Sequence, residues 1–168
     1  MSGILPVGLV MVLSYLAGSI PTSLIMGRLL FGKDVRDLGS GNAGGTNSFR
    51  VFGWKAGPFV SAFDVAKGYA AARIGIALGA ATAGAAFPAW AGASEVLGIA
   101  GGVAAVAGHV WTLFAGFRGG KGVACAAGLL LALAPLPFLA AAAVFALLLF
   151  SFGIVSVASV GAALAFPV

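Results

Sequence analysis

Charge is scarce in this sequence. Of its 168 residues only 8% are Asp, Glu, Lys or Arg, against about a quarter in an ordinary soluble domain. So few charges cannot cover a water-facing globule of this size, which leaves a surface that faces lipid. An aggregating fibre or a buried subunit fits less well, because the apolar runs are long and regularly interrupted. Histidine and cysteine are scarcer still, with His109 and Cys125 the single copies. One cysteine excludes an intramolecular disulfide, and within an apolar run it reads as a small packing residue. One His, one Cys and four scattered acids form no metal-ligand pattern and no Ser–His–Asp arrangement, and nothing calls for a cofactor. The net charge is +5, but the basic residues are too few and too closely tied to apolar segments to bind nucleic acid.

What is present in abundance is apolar sequence, 61% of the chain. Met1 to Gly27 carries no charge and can cross a hydrocarbon core of roughly 30 Å at about 1.5 Å per residue. It lacks the basic start of a signal peptide, and Pro21 predicts a kink or a break near one interface. Residues 57–73 mix Asp64, Lys67 and Arg73 into an apolar helical pattern. Residues 74–94, 96–117 and 122–168 are uncharged apart from Glu95 between them. The last run is divided by Pro135 and Pro137 and again at Ser151-Phe152-Gly153, which predicts three short helices. The expected fold is an all-α, polytopic membrane bundle with about six spans. Lys and Arg gather in residues 28–55 and 116–122, whereas the link near 82–95 has neither. The positive-inside rule then puts the first and third links in the cytoplasm and the N-terminus outside.

Three polar clusters fall on that one side. The first is Gly39-Ser-Gly-Asn-Ala-Gly-Gly-Thr-Asn47, with Arg50 three residues on. Glycines such as Gly41 let backbone N–H groups approach an anion. Ser40, Asn42, Thr46 and Asn47 add neutral hydrogen bonds, and Arg50 adds a permanent planar cation. The stretch reads as an anion cradle, although Gly, Ser and Asn also favour plain turns. Its Gly-x-Gly-x-x-Gly spacing means a dinucleotide site only between a strand and a helix, a setting a membrane span does not provide. The second cluster is Gly119-Gly120-Lys121-Gly122 after Arg118. A helix starting at the glycines would aim its N–H groups at an anion, beside Lys121. It is not a Walker A loop, because Gly122 stands where Ser or Thr is needed. A basic link obeying the positive-inside rule reads equally well. His109, close by in sequence, is a candidate proton acceptor or a structural hydrogen-bonding residue. The third feature, Asp64 and Lys67, shares a helix face at i, i+3. It is either a structural ion pair or a means of offering Lys67 to a substrate.

These residues, taken together, resemble a known family. Gly18-Ser-Ile-Pro-Thr-Ser-Leu-Ile25, Asp34-Val-Arg36, the 39–47 stretch with Arg50, Asp64-x-x-Lys67-Gly68, Gly108-His109 and Gly119-Gly-Lys-Gly-Val-Ala124 stand in the order of the PlsY family. That family comprises the bacterial acyl-phosphate:glycerol-3-phosphate acyltransferases. The resemblance runs over essentially the whole chain. It implies a seven-helix fold in the bacterial inner membrane with its active site facing the cytoplasm. It implies fatty acyl transfer from acyl phosphate to the 1-hydroxyl of glycerol 3-phosphate for phospholipid synthesis, with membrane lipids as surroundings. Matched by position, Ser40 and Arg50 are essential, Asn42, Thr46 and Asn47 are polar lining, and Gly119 to Gly122 are the glycerol 3-phosphate loop. His109 and Lys121 join the catalytic candidates; Gly41, Lys67 and Ser156 join the substrate-binding ones. Gly153-Ile154 and Trp111-Thr112 depart from the family's usual Arg-Tyr and Phe-Pro. The family also continues into a further span and a polar tail beyond the position of Phe166-Pro-Val168. The expectation is one membrane-embedded acyltransferase domain over residues 1–168, shortened at its C-terminus. A small anion transporter and a catalytically impaired lipid-binding relative fit the same features.

Overall fold

The computed structural model of the chain describes residues 4–82 and 92–166. Eight α-helices are present among the described residues: α1 (Ile4–Gly18), α2 (Thr22–Phe31), α3 (Gly45–Phe52), α4 (Gly57–Thr82), α5 (Ala93–Val110), α6 (Val123–Leu133), α7 (Pro135–Phe152) and α8 (Val155–Ala165). Short 3-10 turns stand at Val35–Asp37, Gly53–Lys55 and Leu113–Ala115. No strand occurs among the described residues, so the all-α expectation holds.

The first apolar run is broken rather than kinked. α1 stops at Gly18 and α2 restarts after Pro21, since proline has no N–H to continue the ladder. The last run divides as its residues dictate. Pro135 opens α7, where its missing N–H costs nothing. Gly153 closes α7 in the left-handed conformation, φ 68°, which a residue with a Cβ resists. The stretches Val7–Phe31, Ser94–Ala115 and Pro135–Phe152 are long and apolar enough to cross a membrane. α4 is longer still, at 26 residues, but carries Asp64, Lys67 and Arg73. α6 and α8, with 11 residues each, reach only about 17 Å. The outer link expected near 82–95 lies largely outside the described residues, and Glu95 sits in the first turn of α5.

α4 is the central element, packed on α5, α6, α1 and α3, while α5 also packs on α1 and α6. α7 and α8 pack on each other and join the rest chiefly through α6. Their outer faces carry exposed Leu147, Phe150 and Leu164, as helices facing lipid tails do. Hydrocarbon chains provide no hydrophobic drive to bring helices together, so close backbone approach has to do it. The glycines of α4, α5 and α6 provide that approach. A methyl at Gly68 would overlap the carbonyl of Cys125, one at Gly128 that of Val65, and one at Gly108 that of Tyr15. These contacts hold α4 against α6 and α5 against α1, and so fix the ends of α4, α5 and α6 on which the polar residues sit.

Candidate active site

The polar stretch after α2 is a small folded unit. Asp34 caps the turn Val35–Asp37 by accepting from the Arg36 N–H. Arg36 returns two hydrogen bonds to the Asp34 carboxylate from Nε and a terminal nitrogen. That guanidinium holds Asp34 well below the usual carboxylate range, its hydrogen bonds outweighing burial. The same Arg36 donates to the Ala115 carbonyl at 2.9 Å, tying the first loop to the link before α6.

Asn47 organises the next segment. It is 1% exposed; its Nδ2 donates to the carbonyls of Val35 and Leu38, and its Oδ1 accepts from the Ser40 N–H at 2.9 Å. Gly39, φ 60°, lies so close to that amide oxygen that a Cβ would collide with it. Residues 39–44 therefore form the loop, while Gly45, Thr46 and Asn47 are the first turn of α3.

The loop, the start of α3, α4, the end of α5 and the turn before α6 enclose a cavity of about 440 Å³. Ser40, Asn42, Thr46, Asn47, Arg50, His109, Lys121 and Gly122 all line it. The two stretches separated by some seventy residues thus meet. Arg50 and Lys121 are both exposed and make no ion pair among the described residues, so two unneutralised cations face one space. Behind them lies a buried charge cluster. Asp64 Oδ1 is 2.9 Å from Lys67 Nζ and 3.4 Å from His109 Nδ1. Lys67 Nζ also donates to the Ile20 carbonyl at 3.1 Å.

Several candidate residues lie elsewhere than in the large cavity. Gly119 and Gly120 do not open a helix. Their N–H groups donate to the carbonyls of Val110 and His109, and α6 begins only at Val123, with Gly122 at φ 77° before it. Those two amides are thus spent on the protein, and neither residue lines the large cavity. Gly120 instead makes room for the His109 ring, whose Nε2 a Cβ there would strike. Lys67 is buried in its ion pair and faces a separate small cavity. Gly41, φ 71°, shapes the loop without lining the cavity. Ser156 is exposed in the first turn of α8 and lies outside the cavity. Ser61 is a lining polar residue that the sequence does not single out, and Asp64, read there as the partner of Lys67, lines the cavity as well. Their i, i+3 spacing on α4 was the available signal, because it turns both toward the same neighbours.

An apolar groove adjoins the polar cavity. A groove of about 640 Å³ between α6, α7 and α8 is lined by Leu130, Phe138, Phe145, Phe166 and alanines. It shares Val123 and Ala127 with the polar cavity.

Comparisons with known proteins place this geometry in a family. The family model described as glycerol-3-phosphate acyltransferase matches residues 8–168. Proteins named glycerol-3-phosphate acyltransferase from Chlorobaculum parvum and Chlorobaculum tepidum are each 51% identical over 159 residues, covering 94% of this chain and 67% of theirs. The protein of that name from Pelodictyon phaeoclathratiforme is 50% identical and is covered over 66% of its length. The chain thus spans about two thirds of the length of these curated relatives. Among solved structures, the glycerol 3-phosphate form of PlsY, an integral membrane glycerol 3-phosphate acyltransferase, is 31% identical with a TM-score of 0.78, over 95% of this chain and 73% of that one. The lysophosphatidic acid form of PlsY is 30% identical with a TM-score of 0.75, over 95% and 72%. With a family match over nearly its whole length and an all-helical membrane fold shared with PlsY, this chain belongs to the glycerol-3-phosphate acyltransferase family of integral membrane acyltransferases.

Proposed function

We propose that this protein transfers a fatty acyl group from acyl phosphate to the 1-hydroxyl of glycerol 3-phosphate, giving 1-acylglycerol 3-phosphate and inorganic phosphate. The observation that carries the reading is the pair of unpaired cations, Arg50 and Lys121, facing one cavity of about 440 Å³. Two phosphorylated substrates need two anion subsites, and one cavity must hold both for their reacting atoms to meet. Arg50 with the Ser40 loop holds the phosphate of the acyl donor. Lys121 and the first turn of α6 hold glycerol 3-phosphate, aided by the free N–H groups that begin a helix. The groove between α6, α7 and α8 takes the acyl tail, and the Val123 and Ala127 it shares with the polar cavity support a donor lying with its head at the cations and its chain toward lipid.

The chemistry asks little of the protein. Acyl phosphate is an activated mixed anhydride, so no covalent acyl-enzyme is needed. The 1-hydroxyl oxygen bonds to the acyl carbon, the bond from that carbon to the phosphate oxygen breaks, and phosphate leaves with the electron pair. Positioning and charge stabilisation supply the rate. The hydroxyl proton goes to His109, which lines the cavity, or to the departing phosphate. The Lys and Arg residues at the cavity end point that end toward the cytoplasm, in the bacterial inner membrane.

A test is to reconstitute the chain and supply labelled glycerol 3-phosphate with acyl phosphate, acyl coenzyme A or acyl carrier protein in turn. Labelled 1-acylglycerol 3-phosphate from acyl phosphate alone is the expected result. Flux of label without product would instead mark an anion transporter, and binding without either would mark an impaired lipid-binding relative. Turnover from a thioester donor would remove acyl phosphate from the account.

A further inference from the structure

We propose that a single buried water, held by Thr22, Lys67 and Asp64, sits behind His109 and fixes the tautomer of its imidazole. A small cavity of about 10 Å³ shares Asp64 and His109 with the large one. Its wall includes Thr22, Asp64, Lys67, His109 and Thr112. That is about the space one water centre occupies, and a water needs two to four polar partners to stay in such a place.

The wall supplies them. Thr22 is 6% exposed, and its hydroxyl has no hydrogen-bond partner among the described residues. An unpaired hydroxyl at such depth is costly. The Lys67 ammonium has three protons; it gives one to the Ile20 carbonyl, while the Asp64 oxygen it pairs with by charge has no hydrogen-bond partner among the described residues, so both have capacity for a water. Asp64 has acceptor capacity beyond its contacts with Lys67 and His109. Thr112, by contrast, already donates its hydroxyl proton to the Ser19 carbonyl. A water here accepts from Lys67, exchanges a hydrogen bond with Thr22 and donates to the carboxylate.

The consequence falls on His109. Its Nδ1 faces Asp64 Oδ1, so in the neutral ring Nδ1 carries the proton and Nε2 the lone pair. Lys67 competes for the same carboxylate oxygen at shorter range, 2.9 Å against 3.4 Å. The water shares the load of Lys67 and keeps the carboxylate turned toward the imidazole. Thr22, which touches neither the large cavity nor the imidazole's hydrogen bonds, is then a positioning residue. That His109 matters to turnover rests on the proposed function; the water and the tautomer do not.

His109 is the single histidine of the chain, so 15N-histidine labelling of the full-length protein in lipid reports on it alone. The expected spectrum of the neutral wild-type imidazole has one tautomer, protonated at Nδ1. Thr22→Ser retains it, and the near-isosteric Thr22→Val shows a mixture of both tautomers. A crystal structure of the wild type should show one solvent peak within hydrogen-bond distance of the Thr22 hydroxyl, absent in Thr22→Val. No solvent peak in the wild type overturns the proposal, as does a Thr22→Val spectrum identical to the wild type. Should Thr22→Val fail to fold, the wild-type peak and the single wild-type tautomer still decide it. Neither readout needs turnover, so failure here leaves the acyltransferase reading standing, and failure of that reading leaves this one untouched.

Discussion

Replacing Asn47 with alanine should loosen the Ser40 loop while leaving the helical bundle intact. The side chain makes three hydrogen bonds, two from Nδ2 to the Val35 and Leu38 carbonyls and one accepted from the Ser40 N–H. At a net contribution of about 1 kcal/mol each, the variant loses roughly 3 kcal/mol of local order. That corresponds to about a hundredfold change in the equilibrium between ordered and open loop. None of the three bonds involves α4, α5 or α6, so the bundle has no reason to follow. The assay is hydrogen exchange at the Ser40 amide in lipid nanodiscs, read beside glycerol 3-phosphate acylation. Exchange should quicken by about two orders of magnitude, with the α4 amides unchanged and acyl transfer lost. Wild-type protection of the Ser40 amide in the variant would refute the idea that Asn47 is the loop's scaffold.

Further outcomes follow from the same contacts. Gly128→Ala places a methyl against the Val65 carbonyl, so α4 and α6 must part at a cost of about 1–3 kcal/mol; a lower unfolding temperature in detergent checks it. Asp64→Ala strands the buried Lys67 ammonium and should cost about 3–5 kcal/mol. Asp64→Ala combined with Lys67→Met should recover part of that, and equal instability of the single and double variants would contradict the ion-pair reading. The Asp34 pKa is held below its ordinary value, chiefly by the Arg36 side chain. Its stabilising contribution is therefore complete above the unfolded carboxylate pKa and fades only as pH falls toward the lower folded value. Thermal unfolding of the wild type should show no Asp34-linked loss between about pH 5 and 8, whereas Asp34→Asn should be less stable throughout that window.

A lipid-facing surface was legible from composition, and the all-α fold from the length of the uncharged runs. Helix breaks were legible wherever backbone chemistry is local: Pro21, Pro135 and Gly153 each end or open a helix. The convergence of the Ser40–Arg50 stretch with Lys121 was anticipated from positive-inside bookkeeping and the family resemblance, and both stretches do line one cavity. Individual roles were harder to read. Asn47 and Thr46 are adjacent polar residues in the sequence, yet helix rotation buries Asn47 and exposes Thr46. Gly119 and Gly120 read either as the start of a helix aimed at an anion or as part of a basic link. Only the tertiary fold shows their N–H groups committed to Val110 and His109, and Gly120 reserved for an imidazole ring. Ser156 came from the resemblance alone; it is exposed and does not line the cavity.

In the proposed function, Arg50 and Lys121 serve two phosphate subsites in one cavity. The most direct measurement is equilibrium binding of glycerol 3-phosphate and of a non-transferable acyl phosphate analogue to reconstituted wild type, Arg50→Ala and Lys121→Ala, with acyl transfer measured alongside. Arg50→Ala should lose the acyl phosphate analogue, Lys121→Ala should lose glycerol 3-phosphate, and both should lose transfer. Wild-type binding and transfer in either variant would contradict it.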